Sequence, residues 1–225
     1  MRRHGDHRFV LFGATVLLSM MTALSSWAVE VKSSVNLLSI VSGDVQLADE
    51  FGFSVAVDGE IAVVGSPYDD DGETDSGSVY VFTYDCDPPV RPCGWYRMAK
   101  LHATNPQAGA LFGLSVAVHG DTIIVGAPLE DFSCPSLDLD YFNRGAVYIF
   151  KYVNLSWQRT RIDTCGTGYI LSYDEFGTSV ATDGNVIVAG APLTDKYCDW
   201  DLGYWFHRGA ALVFSMTGNF IQRLM

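Results

Sequence analysis

Carboxylates are densest in the segment Asp69-Asp70-Asp71-Gly72-Glu73-Thr74-Asp75. Oxygen ligands at alternating positions around a turning glycine are what a hard cation such as calcium selects. Asp69, Asp71 and Asp75 are therefore the candidate metal ligands. The run lacks the spacing and closing glutamate of an EF-hand loop, and a solvated acidic turn is the competing reading. A second constellation sets aromatic rings among aspartates: Tyr141 and Phe142, then Trp200, Tyr204 and Trp205. Broad amphipathic rings beside hydrogen-bonding groups suit contact with a sugar, a peptide or a protein surface. The alternative is that these rings cap one another over the end of the fold.

Acid–base and nucleophilic chemistry finds little to work with. The histidines are His4, His7, His102, His119 and His207, with no pair at metal-ligand spacing. Neither a Gly-x-Ser-x-Gly elbow nor a His-Glu-x-x-His run occurs. The expectation is a protein that is not an enzyme and requires no cofactor, with calcium the one candidate ion. Of the five cysteines, Cys86 and Cys93 flank the short loop Asp87-Pro88-Pro89-Val90-Arg91-Pro92 and are the first pair expected to bridge. Cys134 and Cys198 occupy corresponding places in two repeats and form a second candidate pair. An odd count leaves one thiol over, free or bonded to another chain.

These groups must be held by a chain of 225 residues with a formal net charge of −12. Such an acidic protein repels phosphate backbones, which excludes nucleic acid as a partner. With 48% hydrophobic and 18% charged residues, the chain folds rather than staying disordered. Its start reads as an address: basic Met1 to Arg8, an apolar run from Phe9 to Leu24, then small residues in Ser26-Trp27-Ala28. That order is the pattern of a secretory signal peptide cleaved after Ala28. Cleavage leaves 11 basic and 25 acidic residues, a charge of −14, with no later segment apolar enough to span a bilayer. The expected location is extracellular or periplasmic, and cysteine usage agrees with an oxidising compartment.

The remainder is organised by repetition. Phe51-Gly52, Phe112-Gly113 and Phe176-Gly177 each open a segment that reaches Gly65-Ser66-Pro67, Gly126-Ala127-Pro128 or Gly190-Ala191-Pro192, always 14 residues from phenylalanine to glycine. A third apolar strand follows from Gly77, Gly145 and Gly209, and a more polar fourth from about Trp95, Trp157 and Phe220. Asp58-Gly59 and Asp183-Gly184 are tight hairpin signals. The middle runs (Ile61 to Val64, Thr122 to Val125, Val186 to Ala189) are apolar without alternation, as strands covered on both faces are. Four antiparallel strands per unit at a period of 61 to 64 residues describe the blades of a β-propeller.

The Phe-Gly and Gly-Ala-Pro signatures resemble the FG-GAP repeat family, the blade unit of the integrin α-chain head. The resemblance implies an all-β chain of three repeats (49–109, 110–173 and 174–225), after the signal peptide (1–28) and a lead-in (29–48) carrying one strand of a neighbouring blade. In the integrin relatives calcium sits between the Phe-Gly strand and the Gly-Ala-Pro strand. Here that place holds the short turns Asp58-Gly59-Glu60, His119-Gly120-Asp121 and Asp183-Gly184-Asn185, so the family's ion site is absent from all three copies. Two functions are implied: a non-catalytic extracellular recognition or adhesion module with a protein or glycan ligand, or the propeller appendage of a secreted hydrolase. Three blades fall short of the four to eight that close a ring. An incomplete, open propeller is expected, with another chain as a candidate supplier of the missing blades. Val55, Val57, Val63, Val79 and Val81 are the expected core of the first repeat.

Overall fold

The computed structural model describes residues 44, 46–134, 139–162, 164–165, 170, 173–194 and 209–224. All lie in the larger of two compact units, Leu38–Met225. The signal segment, most of the lead-in, and Trp200, Tyr204 and Trp205 lie outside the described residues.

Fourteen strands and no helix are found among the described residues. The first sheet runs β1 (Ser54–Asp58), β2 (Ile61–Ser66), β3 (Ser78–Asp87) and β4 (Arg91–Leu101), neighbours in space as in sequence. The second is β5 (Ser115–His119), β6 (Thr122–Ala127), β9 (Ala146–Val153) and β10 (Ser156–Arg161). Between β6 and β9 the chain makes a separate two-stranded ribbon, β7 (Phe132–Cys134) with β8 (Leu139–Tyr141). The third sheet is β11 (Ser179–Thr182), β12 (Val186–Ala191), β13 (Ala210–Ser215) and β14 (Phe220–Leu224). Every pairing within the sheets is antiparallel, and Asp58 pairs with Ile61 across a two-residue turn, as Asp58-Gly59 predicts.

The sheets stack face to face with their first strands adjoining, β1 against β5 and β5 against β11. Val63, Val79 and Val81 meet Phe112, Ile123, Val125, Tyr148 and Phe150 in one core. Ile124, Val147 and Ile149, from the opposite face of the second sheet, meet Ile187, Leu212 and Phe214 in the next. The second sheet is thus sandwiched, and β6 is buried along its whole length. In β12 burial alternates instead, because no further sheet lies against its second face among the described residues. The first sheet shows the mirror situation. Val64, Tyr80 and Phe82 form a small cluster on its outer face with Phe51, while Val55 and Val57 are 68% and 67% exposed. The expectation of a core role for those two valines is corrected. Their counterparts Val116 and Val118 pack against the neighbouring sheet, and among the described residues the first sheet has no such neighbour on that face. The three sheets form an open array.

Each repeat-opening phenylalanine is a ring anchor. Phe51 meets Tyr80 and Phe82 edge-on, with ring centroids 5.2 and 6.3 Å away. Phe112 meets Tyr148 and Phe150 at 5.5 and 5.9 Å, and Phe176 meets Phe214 at 5.6 Å. The edge-to-face contacts of Phe51 and Phe112 add to simple burial, and the Phe176 pair is tilted. The glycine after each phenylalanine adopts φ of +98°, +91° and +95°, a conformation that a side chain would strain.

Candidate functional site

The acidic run after β2 does not splay into solvent. Asp69 is 1% exposed, and its Oδ2 accepts from the Tyr80 hydroxyl at 2.9 Å and lies 2.8 Å from Lys100 Nζ. The backbone N–H of Asp71 donates to Asp69 Oδ1 at 3.0 Å. Tyr80 and Lys100 face each other across the β3–β4 pairing, and the ammonium stands 4.9 Å from the Tyr80 ring centroid. The Asp71 carboxylate also pairs with Lys100. Asp75 turns elsewhere, its N–H taken by Asp70 Oδ1 at 2.8 Å. Among the described residues no group of three or more His, Cys, Asp and Glu has the arrangement of a metal site. The position between Asp69 and Asp71 holds a lysine ammonium.

The second sheet repeats the arrangement with exchanged chemistry. Glu130 follows Gly126-Ala127-Pro128 at the place where Asp69 follows Gly65-Ser66-Pro67. The Tyr148 hydroxyl lies 2.9 and 2.7 Å from the two Glu130 carboxylate oxygens. Arg161 Nε donates to Glu130 Oε1 at 2.9 Å, and Arg161 faces Tyr148 across β9–β10. In the third sheet the places belong to Thr194, Leu212 and Arg223; Arg223 still faces Leu212, but acid and phenol are gone.

Protonation in the two triads follows burial against partners. Burial works to raise the Asp69 carboxyl, but Lys100, the Asp71 N–H and the Tyr80 hydroxyl outweigh it and hold the group below the ordinary carboxylate range. Burial would lower the Lys100 ammonium, yet Asp69 and Asp71 drive it well up. Glu130 goes the other way, because burial exceeds the help from Arg161 and Tyr148 and raises it. Burial and the Glu130 charge push the Tyr148 hydroxyl upward too. A raised lysine and a raised tyrosine are the opposite of an activated base or nucleophile.

A family model described as FG-GAP repeat matches residues 37–82, 95–150 and 170–214. The chain belongs to the FG-GAP repeat family. Among curated proteins none matches it. Each matched segment ends on an apolar phenylalanine in the third strand of a sheet, Phe82, Phe150 or Phe214, and the second also takes in most of β4 from the preceding sheet.

On the outer edge of the first two FG-GAP blades, β4 and β10 border a groove of about 450 Å³. Lys100, His102, Trp157 and Arg159 line it, with Phe150 at its base. Arg159 donates to the His102 carbonyl at 2.8 Å and reaches over Phe150 at 6.0 Å. Arg159 makes no ion pair among the described residues, and its flank carries the half-buried Trp157 ring, 5.0 Å from that of Tyr152. His102 Nδ1 lies 3.2 Å from Ser78 Oγ. Burial, then the Lys100 charge, holds its imidazole below the ordinary histidine range. Sequence reasoning passed over this groove. Its residues come from two repeats, and only the fourth strands of adjacent blades bring them together.

Of the aromatic candidates, Phe142 is 57% exposed. The Tyr173 N–H donates to its carbonyl at 2.8 Å, bringing in a second exposed aromatic that the sequence reading omitted. Tyr141 pairs with Phe132 in the ribbon of the second FG-GAP blade; Trp200, Tyr204 and Trp205 lie outside the described residues. Cys86 and Cys93 are bridged, with Cα atoms 4.0 Å apart, at the tip of the β3–β4 hairpin. Cys165 is also disulfide-bonded. With Cys86 and Cys93 paired, only Cys134 and Cys198 remain as its partners within the chain, which corrects the candidate Cys134–Cys198 bridge. Cys198 and the side chain of Cys134 lie outside the described residues.

Proposed function

We propose that this FG-GAP array is a secreted, non-catalytic recognition module whose ligand is an acidic extracellular glycan, held in the groove between β4 and β10. The observation that carries the reading is the groove's chemistry. In a protein of net charge −12, Arg159, without an ion pair among the described residues, stands beside Trp157 in one concavity, with the His102 imidazole as a further hydrogen-bonding group. An aromatic ring offers a stacking face to a pyranose, and a guanidinium forks onto a carboxylate or sulfate. The hydrogen-bonded, charge-paired triads support a role without chemistry, since none presents a free base or nucleophile. Export rests on the basic, apolar and small-residue order of residues 1–28. The bridge between Cys86 and Cys93 suits an oxidising compartment, and among the described residues no helix is long and apolar enough to cross a membrane.

The test is calorimetric titration of the exported chain with a sulfated uronic-acid oligosaccharide and, separately, with a neutral oligosaccharide of equal length. Binding of the acidic sugar alone is expected, weakened about tenfold or more by Arg159→Ala and by Trp157→Ala, roughly the loss of one charge-assisted contact. Equal binding of both sugars, no binding, or indifference to both substitutions overturns the reading.

A further inference from the structure

The first two sheets carry one group of side chains twice. On β9–β10, Trp157 faces Tyr152 and Arg159 faces Phe150. On β3–β4, Trp95 faces Tyr84 and Arg97 faces Phe82. The tyrosine and tryptophan rings lie 5.0 Å apart in the second sheet and 5.5 Å apart in the first. In the third sheet the residue facing Phe214 is Phe220, so the arginine has no counterpart there. Arg97 and Arg159 hold the same position in two blades.

Their partners differ. Both oxygens of the Asp44 carboxylate lie 2.9 Å from Arg97 Nη1, and one of them is 3.8 Å from Lys100 Nζ. Arg159 donates to the neutral carbonyl of His102 at 2.8 Å, and no carboxylate meets it among the described residues. The difference traces to the chain that leads into each sheet. Asp44 precedes Phe51 by seven residues, and Asn105 precedes Phe112 by seven. The two lead-ins follow one path. The Asp49 and Ala110 N–H groups donate to the Gln46 and Gln107 carbonyls at 3.5 and 3.1 Å, and those of Phe53 and Leu114 to Glu50 and Leu111 at 3.0 and 3.1 Å. Left-handed φ recurs in step, +81° and +74° at Ala48 and Gly109, then +51° and +55° at Glu50 and Leu111. Asn105 therefore takes the place of Asp44, but an amide cannot neutralise a guanidinium. It is exposed and follows Thr104, which lines the groove with Arg159.

We infer that Arg159 is the seat of a carboxylate supplied by the ligand, so that the acid recognised in the groove is a uronate and not a sulfate ester. The inference rests on the reading of this groove as an acidic-glycan site. Asp44 on Arg97 is the acceptor this position takes within the chain: one planar carboxylate that turns both oxygens to the guanidinium. A uronate presents the same pair of oxygens. A sulfate ester spreads its charge over three weakly basic oxygens and accepts a charge-assisted hydrogen bond less well. Trp157 and Arg159, two residues apart on β10, point to the same side of the strand. The ring that stacks on a pyranose and the cation that takes its carboxylate are thus neighbours.

The test is calorimetric titration of the full exported chain with a galacturonic-acid oligomer free of sulfate and, separately, with a neutral-sugar oligomer sulfated to the same charge. The uronate oligomer should bind about tenfold more tightly or better. Asn105→Asp gives Arg159 the internal carboxylate that Arg97 already has, and should weaken uronate binding by about tenfold or more. Asn105→Ala, which adds no charge, should leave it within about twofold. A crystal structure of Asn105→Asp should place the carboxylate at position 105 within hydrogen-bond distance of Arg159. Equal or tighter binding of the sulfated oligomer overturns the inference and leaves the acidic-glycan reading standing, whereas binding of neither oligomer overturns both. Uronate binding indifferent to Asn105→Asp, or a carboxylate at position 105 turned away from Arg159, also overturns the inference.

Discussion

Lys100 Nζ lies 2.8 Å from Asp69 Oδ2, which also accepts from the Tyr80 hydroxyl, while the corresponding Glu130 meets an arginine and its protonation moves the opposite way. The two triads therefore respond oppositely to acid. Asp69 is depressed in the fold, so its contribution is complete above the unfolded carboxyl value and disappears as pH falls through the folded one. Glu130 is raised, so its contribution is present below its unfolded value and disappears as pH rises through the folded one. Asp69→Asn should cost about 1–3 kcal/mol near neutral pH, and Glu130→Gln less. Urea midpoints at about pH 7 and about pH 2.5 should show the Asp69→Asn deficit shrinking and the Glu130→Gln deficit growing. Parallel behaviour of the two variants would contradict the assignment.

The contact between Ser115 and the Gly177 carbonyl gives a coupled pair of substitutions. Gly126→Ala drives a methyl into that backbone oxygen and should cost about 2–3 kcal/mol. Ser115→Ala removes one hydrogen bond and should cost about 1 kcal/mol. Once the added methyl has pushed the sheets apart, little of the serine bond is left to lose. The double variant should be distinctly less destabilised than the sum of the two, and additivity in chemical denaturation would argue against a shared contact.

Replacing both Cys86 and Cys93 by serine opens a short loop at the tip of a hairpin that its own strand pairing already closes. Loop-closure entropy for so short a ring is about 2–3 kcal/mol at most. The expected outcome is a modest drop in thermal midpoint, with faster amide exchange confined to the β3–β4 tip. The double variant is the proper measurement, because a reductant would also open the bridge at Cys165. Global unfolding on its introduction would mean the bridge supports more than the tip.

The exported product should begin at Val29 if Ser26-Trp27-Ala28 is read as the cleavage site. Mass spectrometry of the released protein decides this, and an intact Met1 refutes it. In a eukaryotic secretory route the same spectrum should carry a glycan on Asn154, since Asn154-Leu155-Ser156 is a sequon. Its turn between β9 and β10 is accessible, with Leu155 88% exposed.

The strands of each blade were legible in the sequence, because alternation, hairpin glycines and the Phe-Gly to Gly-x-Pro offset are local and occur three times. The Cys86–Cys93 bridge was legible for the same reason: a short loop limits how far apart its ends can lie. Which apolar face would be covered was not. Val55 and Val116 have the same neighbours in sequence, and they differ only in whether another sheet stands in front of them. The acidic run after β2 read as a cation loop because carboxylate spacing is visible along the chain. Lys100, which neutralises it, arrives from a strand two elements later. The groove of His102, Trp157 and Arg159 likewise exists only because blades stack. Local sequence sets how a strand pairs with the next one. The partners of buried charges and the lining of grooves depend on the packing of whole sheets, where distant residues meet and water is excluded.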